Sequence, residues 1–262
     1  MDNSEEPILR SLVGRKVLVT GAGTRIGQAI AIALARDGCD VIVHYCTNRA
    51  GAEETAGKIK SYGRQAVCFS ADFRQFESIK DLVDKSVQVF GGLDALVNSA
   101  SVFPLAGRRD GESDLSHETI ESWNLSLDVN ARAPFFLIQH ASPFLKKSTD
   151  GCVINILDTS VSDPFVSRAS HSVSKGALAS ITRLAAKTFY PKVRVNGLEL
   201  GHILPSPDMS AEEIAQQKWG GVSNVAEAVI FLLKNGFMTG EILRMCGGKL
   251  LLGDRTATVS AQ

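Results

Sequence analysis

The sequence has no paired cysteines, no excess charge of either sign and no long apolar run. Its five cysteines form no CxxC pair, which argues against a disulfide framework and a zinc site. Lys plus Arg and Asp plus Glu each total 28, so no basic field would attract nucleic acids or anionic membranes. No apolar stretch reaches the roughly 20 residues that span a bilayer, and the acidic start MDNSEEPILR does not match a signal peptide. We expect a cytoplasmic protein that acts on a small molecule, without a metal, nucleic-acid or membrane partner.

What the chain does have is an alternation of short apolar β-branched runs with segments of helical period. Such an alternation predicts βαβ units, and the 262 residues suit one doubly wound α/β domain over 1–262, with its core at about 14–253. We therefore expect a Rossmann fold with a parallel sheet of about seven strands. The predicted strands are 16–20, 41–44, 66–70, 93–97, 152–157, 193–198 and 241–246. The predicted helices are 26–37, 49–61, 75–90, 116–147 (as two), 173–189 and 223–234.

Three glycines stand between the first predicted strand and the first predicted helix. In VLVTGAGTRIGQAIAIAL they are Gly21, Gly23 and Gly27. A tight strand-to-helix turn needs residues without a Cβ, because the backbone must approach a pyrophosphate whose charge is met by N–H groups at the helix N-terminus. The position of the pattern, at the first βα junction, predicts a dinucleotide site.

Several motifs resemble those of the short-chain dehydrogenase/reductases, over about residues 14–253. TGAGTRIG looks like the family's TGxxxGxG turn, with Arg25 replacing the middle glycine as in the TGxxxRxG turn of pteridine reductases. LVNSASVF resembles the NASxF variant of the same branch and supplies Ser101 and Phe103. The resemblance implies an NADPH-dependent oxidoreductase that reduces a C=N bond of a flat nitrogen heterocycle, a pterin or a cyclic imine. Through the terminal MCGG it also implies a homotetramer.

The end of the second strand favours NADPH over NADH. An NAD-selective site usually has an acid about 20 residues beyond the glycines, whereas this strand ends HYCTNR, with no acid and two potential cations, His44 and Arg49. We expect a 2′-phosphate to be accepted there. The resemblance adds Asp72 beside the adenine. The expected cofactor-binding residues are Gly21, Thr24, Arg25, Ile26, Gly27, His44, Tyr45, Asn48, Arg49, Asp72, Phe73, Asn98, Ser99, Ala100, Lys175, Gly201 and Ile203.

The family's catalytic Tyr is replaced by His171. INILDTS precedes HSVSKGAL, so that Asp158 lies 13 residues before His171 and Lys175 lies four residues after it. By resemblance, Lys175 contacts the nicotinamide ribose, and the backbone of Asn130 holds a proton-relay water. Three interpretations stay open: His171 with Asp158 as the acid, a proton from Asp158 or water to an already basic C=N bond, or a catalytically silent NADPH-binding protein. A ketone reductase that uses His171 as its acid is the alternative enzyme.

The least regular stretches, 101–115 and 201–221, are the expected substrate walls, because ligands of open α/β sheets bind at the loops that follow strands. Phe103 is expected to stack on the heterocycle, and Arg25 to pair with a phosphate or with the ring. In the second loop Leu200-Gly201 replaces the family's PG, and Glu199 and His202 add polar groups. The expected substrate-binding residues are Arg25, Ser101, Phe103, Asp158, His171 and Leu200.

Overall fold

A parallel sheet of seven strands in the order β3-β2-β1-β4-β5-β6-β7 is the centre of the fold. The computed structural model describes residues 9–104, 115–205, 209–215 and 219–252. This arrangement is the single Rossmann-like domain that the alternation predicts. The strands are β1 (Lys16–Val19), β2 (Asp40–Tyr45), β3 (Ala66–Ser70), β4 (Ala95–Asn98), β5 (Gly151–Asp158), β6 (Val193–Leu200) and β7 (Ile242–Met245).

Helices cover both faces of the sheet. One apolar cluster holds Ile30, Ile59 and Val229 from α1, α2 and α8, and the other holds Leu82 and Leu137 from α3 and α5. The helices are α1 (Arg25–Arg36), α2 (Arg49–Ser61), α3 (Phe76–Phe90), α4 (Ile120–Leu127), α5 (Ala133–Leu145), α6 (Ala169–Phe189), α7 (Ala211–Ala215), α8 (Val222–Lys234) and α9 (Lys249–Leu252). In the described part of the chain, none of them is long and apolar enough to cross a membrane.

The central strands are largely apolar because they face a helical layer on both sides. In β1, Val17 and Val19 contribute to one cluster and Leu18 to the other. Successive strand side chains point to opposite faces of a sheet, so a strand buried on both sides has no solvent-facing position for a polar residue. This explains why continuous apolar runs, rather than alternation, predicted these strands.

The helical region predicted over 116–147 is interrupted around Asn130. A π-helical turn over Asp128–Arg132 separates α4 from α5. Pro134, near the start of α5, has no N–H and therefore cannot donate the α-helical hydrogen bond to the Asn130 carbonyl. A single-turn π segment of this kind is frequent at functional sites.

The strand order places a ligand crevice between β1 and β4. From β1 the sheet winds in one direction through β2 and β3, and in the other through β4 to β7. Chains leaving β1 and β4 therefore turn to opposite faces, which opens a crevice at the carboxyl edge of the sheet. The phosphate turn and the loop after β4 meet at this crevice.

Candidate active site

Two adjoining cavities open at the carboxyl edge. The glycine cleft, of about 510 Å³, is lined by the Gly21–Gly27 turn and the ends of β2 and β3. The Asp158 cleft, of about 750 Å³, is lined by the loops after β4, β5 and β6. Arg25, Ile26, Ser99 and Ser101 line both. The two cavities together suit a long ligand beside a second, smaller one.

The phosphate turn is too crowded for side chains at two of its glycines. A Cβ on Gly27 would lie 2.3 Å from the carbonyl oxygen of Gly21, and a Cβ on Gly23 would lie 3.0 Å from that of Asn48. Gly21 also has a φ of +66°, in the left-handed region. Asn48 adds a hydrogen bond to the Gly23 carbonyl at 3.1 Å. The missing side chains therefore let the strand, the turn and α2 pack directly against one another.

His44 lines the glycine cleft, but it is not the potential cation that the end of β2 suggested. The Gly21 N–H donates to its Nδ1 at 3.1 Å, and its Nε2 lies 3.0 Å from the Ala71 carbonyl. Since a carbonyl only accepts, Nε2 carries the proton and Nδ1 is the acceptor. The ring stacks on Phe73 at 4.4 Å, and burial lowers the pKa of His44 to about 4. A neutral His44 therefore stabilises the turn by accepting the hydrogen bond from Gly21.

This arrangement predicts an acid-sensitive free energy of unfolding. Between pH 6.5 and pH 4 the unfolded chain binds a proton at His44 that the folded chain does not, so stability falls as the pH falls through this window. The expected loss from His44 is about 2–3 kcal/mol. Urea denaturation across this range should show a shallower loss in His44→Asn, whose amide oxygen can still accept from Gly21. Equal pH dependence in both proteins would contradict a neutral His44.

The cation at the outer wall of the glycine cleft is Arg74 rather than Arg49. Arg49 does not line the cleft, because its guanidinium reaches one turn along α2 to Glu53 at 2.7 Å. Arg74 does line it and bonds Asp72 at 2.6 Å, which lowers the pKa of that carboxyl. Resemblance suggested Asp72, but no motif in the sequence marks Arg74. Its place in the cleft wall follows only from the fold of the loop after β3.

Asn98 is also absent from the cleft walls. It ends β4 opposite Asn155, and its amide nitrogen donates to the Asn155 side chain at 2.8 Å. Asn155 in turn donates to Thr182 of α6 at 2.9 Å. Asn98 therefore connects β4 to β5 and α6 beneath the site, whereas the next residue, Ser99, reaches both cavities.

Arg25 bridges the phosphate turn and the loop after β6. It occupies a left-handed conformation, with φ of +51°, which explains why a glycine is common at this position of the motif. Its guanidinium donates to the Pro205 carbonyl at 3.0 Å and lies 3.4 Å from that of Leu204. Among the described residues its side-chain hydrogen bonds are thus to this loop, and Arg25 lines both clefts.

Asn130 organises the loop after β4. Its side-chain oxygen accepts from the Val102 N–H at 2.8 Å and from the Ser101 hydroxyl at 3.1 Å. Its amide nitrogen donates to the Val102 carbonyl and to Ser174, both at 3.0 Å. Asn130 is buried and does not line the cavities, so its side chain positions the loop beneath Phe103.

Asp158 and His171 form a buried pair at the floor of the larger cavity. His171 Nε2 lies 2.7 Å from Asp158 Oδ2, and Nδ1 lies 3.0 Å from the Val102 carbonyl, so Nδ1 carries a proton. The other Asp158 oxygen accepts from the N–H and the hydroxyl of Ser160. Burial raises the pKa of Asp158, but the hydrogen bond from His171 and the charge of Lys175 hold it well below its ordinary range.

One shared proton lies between the two side chains of this pair. An ionised carboxylate only accepts hydrogen bonds, so the Nε2···Oδ2 contact requires one proton between its atoms. Both ring nitrogens of His171 are thereby engaged, and its side chain is 4% exposed compared with 24% for Asp158. Asp158 is therefore the member of the pair that is more accessible to a ligand.

Lys175 lies one helical turn beyond His171 and is buried at the same floor. Its ammonium donates to the Ile156 carbonyl at 3.0 Å. Burial lowers the pKa of Lys175, and the charge of Asp158 opposes part of that effect. A buried cation beside the pair helps to keep Asp158 ionised.

Aromatic rings surround the pair. Phe103 meets His171 edge to face at 4.6 Å, and Phe165 lies parallel to His171 at 6.4 Å. The Arg168 guanidinium lies 4.0 Å from the centroid of Phe103 and donates to the Phe103 and Pro104 carbonyls. Arg168, which no motif revealed, thus fixes both the ring and the backbone of this loop. The rest of the predicted wall, 105–114, lies outside the described residues.

The loop after β6 forms the opposite wall. Leu200 and Ile203 are buried and line the Asp158 cleft. Gly201 packs against β7, since a Cβ there would lie 2.7 Å from the Cys246 Cα. Glu199 points elsewhere and pairs with Arg244 at 3.1 Å. Residues 206–208 and 216–218 of the predicted wall lie outside the described residues.

Comparison with known proteins decides the family. A family profile described as short chain dehydrogenase matches residues 15–218. The chain belongs to the short-chain dehydrogenase family. It is therefore an oxidoreductase of a family that uses nicotinamide cofactors.

Individual relatives cover nearly the whole chain. It is 32% identical over 255 residues to an uncharacterized oxidoreductase of Methylorubrum extorquens, covering 92% of this chain and 99% of the relative. It is 30% identical over 257 residues to glucose 1-dehydrogenase 2 of Bacillus subtilis, covering 92% and 97%. A short chain dehydrogenase of Burkholderia cenocepacia, solved in complex with NADP, superposes with a TM-score of 0.82 at 30% identity, covering 91% of this chain and 98% of that one.

Most of the predicted site residues of this short-chain dehydrogenase lie in the cavity walls. The glycine cleft contains Gly21, Thr24, Arg25, Ile26, Gly27, His44, Tyr45, Asn48, Asp72, Phe73, Ser99 and Ala100. The Asp158 cleft contains Ser101, Phe103, Asp158, His171, Lys175, Leu200, Gly201 and Ile203. Sequence reasoning missed Arg74, Phe165, Arg168 and Lys249, which come from three separate segments without motifs, the loops after β3, β5 and β7.

Proposed function

We propose that this chain is an NADPH-dependent reductase of the pteridine-reductase-like branch, which reduces a C=N bond of a flat nitrogen heterocycle, a pterin or a cyclic imine. The observation that carries the proposal is the Asp158–His171 pair, which presents a carboxylate beneath an aromatic wall. The family's usual donor is a phenol. In place of the phenol the site has the Asp158 carboxylate, which accepts hydrogen bonds and shares one proton with His171. This arrangement suits a substrate whose reacting nitrogen is itself a base.

The residues of the glycine cleft fit a dinucleotide phosphate. The close packing at Gly23 and Gly27 holds the turn at the start of α1, where helix N–H groups favour an anion. Arg74, paired with Asp72, lies in the wall at the end of β3, and β2 ends without an acid, so a 2′-phosphate would meet the guanidinium of Arg74 and no carboxylate from β2. Lys175 would hold the nicotinamide ribose. When bound, NADPH supplies the hydride that the substrate carbon accepts.

The walls of the Asp158 cleft fit a flat ring. Phe103 remains 41% exposed although Arg168 covers one of its faces. Exposing a large aromatic side chain to water is unfavourable, and a planar heterocycle stacked on it would remove that surface from solvent. Ser101, fixed by Asn130, and Arg25 provide polar groups at the edge of such a ring.

Asp158 has two tasks in this proposal. As an ionised carboxylate it accepts hydrogen bonds from ring N–H groups, which a flat amidine-like heterocycle offers and a simple ketone does not. It also receives the shared proton from His171 Nε2 and passes it to the substrate nitrogen. A C=N nitrogen is basic enough to take this proton as hydride reaches the carbon, so the pair replaces the phenol.

The test is NADPH oxidation with a panel of dihydropterins, biopterin, cyclic imines and diketones, after NADPH and NADH affinities have been compared by calorimetry. We expect kcat/KM for the best pterin or imine to exceed that for the best diketone by about 100-fold or more, since a carboxylate acceptor is poorly matched to a ketone oxygen. Faster reduction of a diketone would instead support a ketone reductase with His171 as the acid. Tight NADPH binding without turnover of any compound would support a silent NADPH-binding protein.

A further inference from the structure

A second group of side chains lies in the Asp158 cleft, apart from the Asp158–His171 pair. Lys249, the first residue of α9, reaches into the cavity from the loop after β7. Its ammonium lies 2.9 Å from His202 Nε2 and 5.5 Å from the centroid of the Phe165 ring. The His202 ring in turn lies 5.4 Å from Trp219. Three separate loops thus converge to hold one cation at the cavity wall.

His202 holds Lys249 as a neutral acceptor. Burial lowers the pKa of His202, and the charge of Lys249 lowers it further. An ammonium group only donates, so Nε2 must be the unprotonated nitrogen of the ring. The ammonium has three N–H groups, and this contact uses one of them. Within the described ranges its ammonium makes no other hydrogen bond, and half-burial of Lys249 increases the strength of a charged contact with a ligand there.

The charge of the cavity is unbalanced. Among the described residues that line it, the cations Arg25, Lys175 and Lys249 outnumber the single acid, Asp158, which is already paired with His171. Arg168 also lines the cavity but is left out of this balance, because its guanidinium already interacts with other groups. No acidic side chain in the described part of the chain forms an ion pair with Lys249. A cavity with this excess of positive charge favours an anion over a neutral group of the same shape.

We propose that Lys249, positioned by His202, binds an oxyanionic substituent, a carboxylate or a phosphate, on the substrate of this enzyme. The inference rests on the proposed reductase function for the identity of the ring, but not for the anion contact itself. It narrows the substrate class to flat heterocycles that carry a negative charge on the side facing away from Asp158. Phe165 lies between the Asp158–His171 pair and Lys249. It would therefore pack along the substrate ring, whose one end faces Asp158 and whose charged end faces Lys249.

The experiment compares matched probes on the full chain saturated with NADP⁺, at neutral pH, by calorimetry. One pair is carboxypterin and hydroxymethylpterin, and the other is quinaldate and quinaldamide, so each pair differs by one charge on the same ring. We expect each carboxylate to bind about tenfold more tightly than its neutral partner.

Lys249→Gln should remove this difference in affinity and leave binding of the neutral probes unchanged, and Lys249→Arg should retain most of the difference. Lys147→Gln is the matched control, because the Lys147 side chain is exposed and makes no hydrogen bond or ion pair with the described residues. NADPH affinity reports folding of every variant.

Two results would overturn the anion site: a carboxylate that binds no better than its neutral partner in either pair, including the absence of any binding, or a preference that survives Lys249→Gln. The proposed function is tested separately. If the quinoline pair behaves as expected while neither pterin binds, the anion site stands and the pterin ring is excluded.

Discussion

Asp158→Asn is expected to lower kcat by about 10²–10⁴-fold for whichever heterocycle is reduced. The amide keeps the size of the carboxyl group, but it cannot take the shared proton from His171 Nε2 or carry the charge that Lys175 stabilises. KM should rise much less than kcat falls, because Phe103 and the remaining cleft wall still bind the ring. Steady-state kinetics with NADPH saturating would measure both.

The companion variant separates the two proton routes. His171→Tyr restores the phenol of the wider family beside Asp158, so we expect it to retain activity within about tenfold of the natural chain. Asp163→Asn is the matched control, since its carboxyl is exposed five residues further along the same loop. An active Asp158→Asn together with an inactive His171→Tyr would make His171 itself the acid and reject the role proposed for Asp158.

Gly27→Ala is expected to lower NADPH affinity by about 100-fold or more and to reduce the free energy of unfolding by about 2–3 kcal/mol. Its Cβ would lie 2.3 Å from the Gly21 carbonyl oxygen and 2.8 Å from the carbonyl carbon, and both belong to the backbone. A flexible side chain could rotate away, but here the turn itself must open. Opening the turn displaces the N–H groups at the start of α1 that would meet the pyrophosphate.

The same substitution elsewhere in the chain provides the control. In Gly57→Ala, within α2, the added Cβ meets nothing within 4 Å, so we expect unchanged NADPH affinity and a gain of about 0.5–1 kcal/mol from helix propensity. Calorimetry and urea denaturation measure the two quantities in both variants. NADPH affinity in Gly27→Ala equal to that of the natural chain would show that the crowded turn is not the cofactor site.

The scaffold was predictable because its causes are local. Strand β3 and helix α2 occupy the predicted ranges 66–70 and 49–61, and the other predicted strands differ by a few residues at their ends. Apolar runs buried on both faces, and a helix closed by Gly38, depend on neighbouring residues in the chain. The break at Asp128–Arg132 also has a local cause in Pro134, although the sequence indicated only two helices and not where the first would end.

The site was predictable only where a motif accompanied it. Motifs identified Asp158, His171 and Lys175 together, but the state of His44 depends on Gly21 and Ala71, 23 and 27 residues away. The position of Arg49 after β2 predicts a cofactor cation, but its guanidinium pairs with Glu53 and does not line the cleft, whereas Arg74, paired with Asp72, lies in the cleft wall. The contacts of His44 join residues far apart along the chain, and those of Arg49 and Arg74 depend on how each side chain is oriented, so no spacing rule reports which charges are available.

His171 shows the same division between what short-range sequence patterns predict and what the fold adds. Residue type and short-range spacing were enough to predict a Rossmann fold, a dinucleotide turn and the absence of a phenol at position 171. Only the folded chain shows that both nitrogens of His171 are engaged, that Asp158 is the accessible partner and that Lys249 enters the same cavity. Proton position and charge balance in a buried site depend on every group within hydrogen-bond distance, and the fold gathers those groups from the loops after β4, β5, β6 and β7, between Val102 and Lys249.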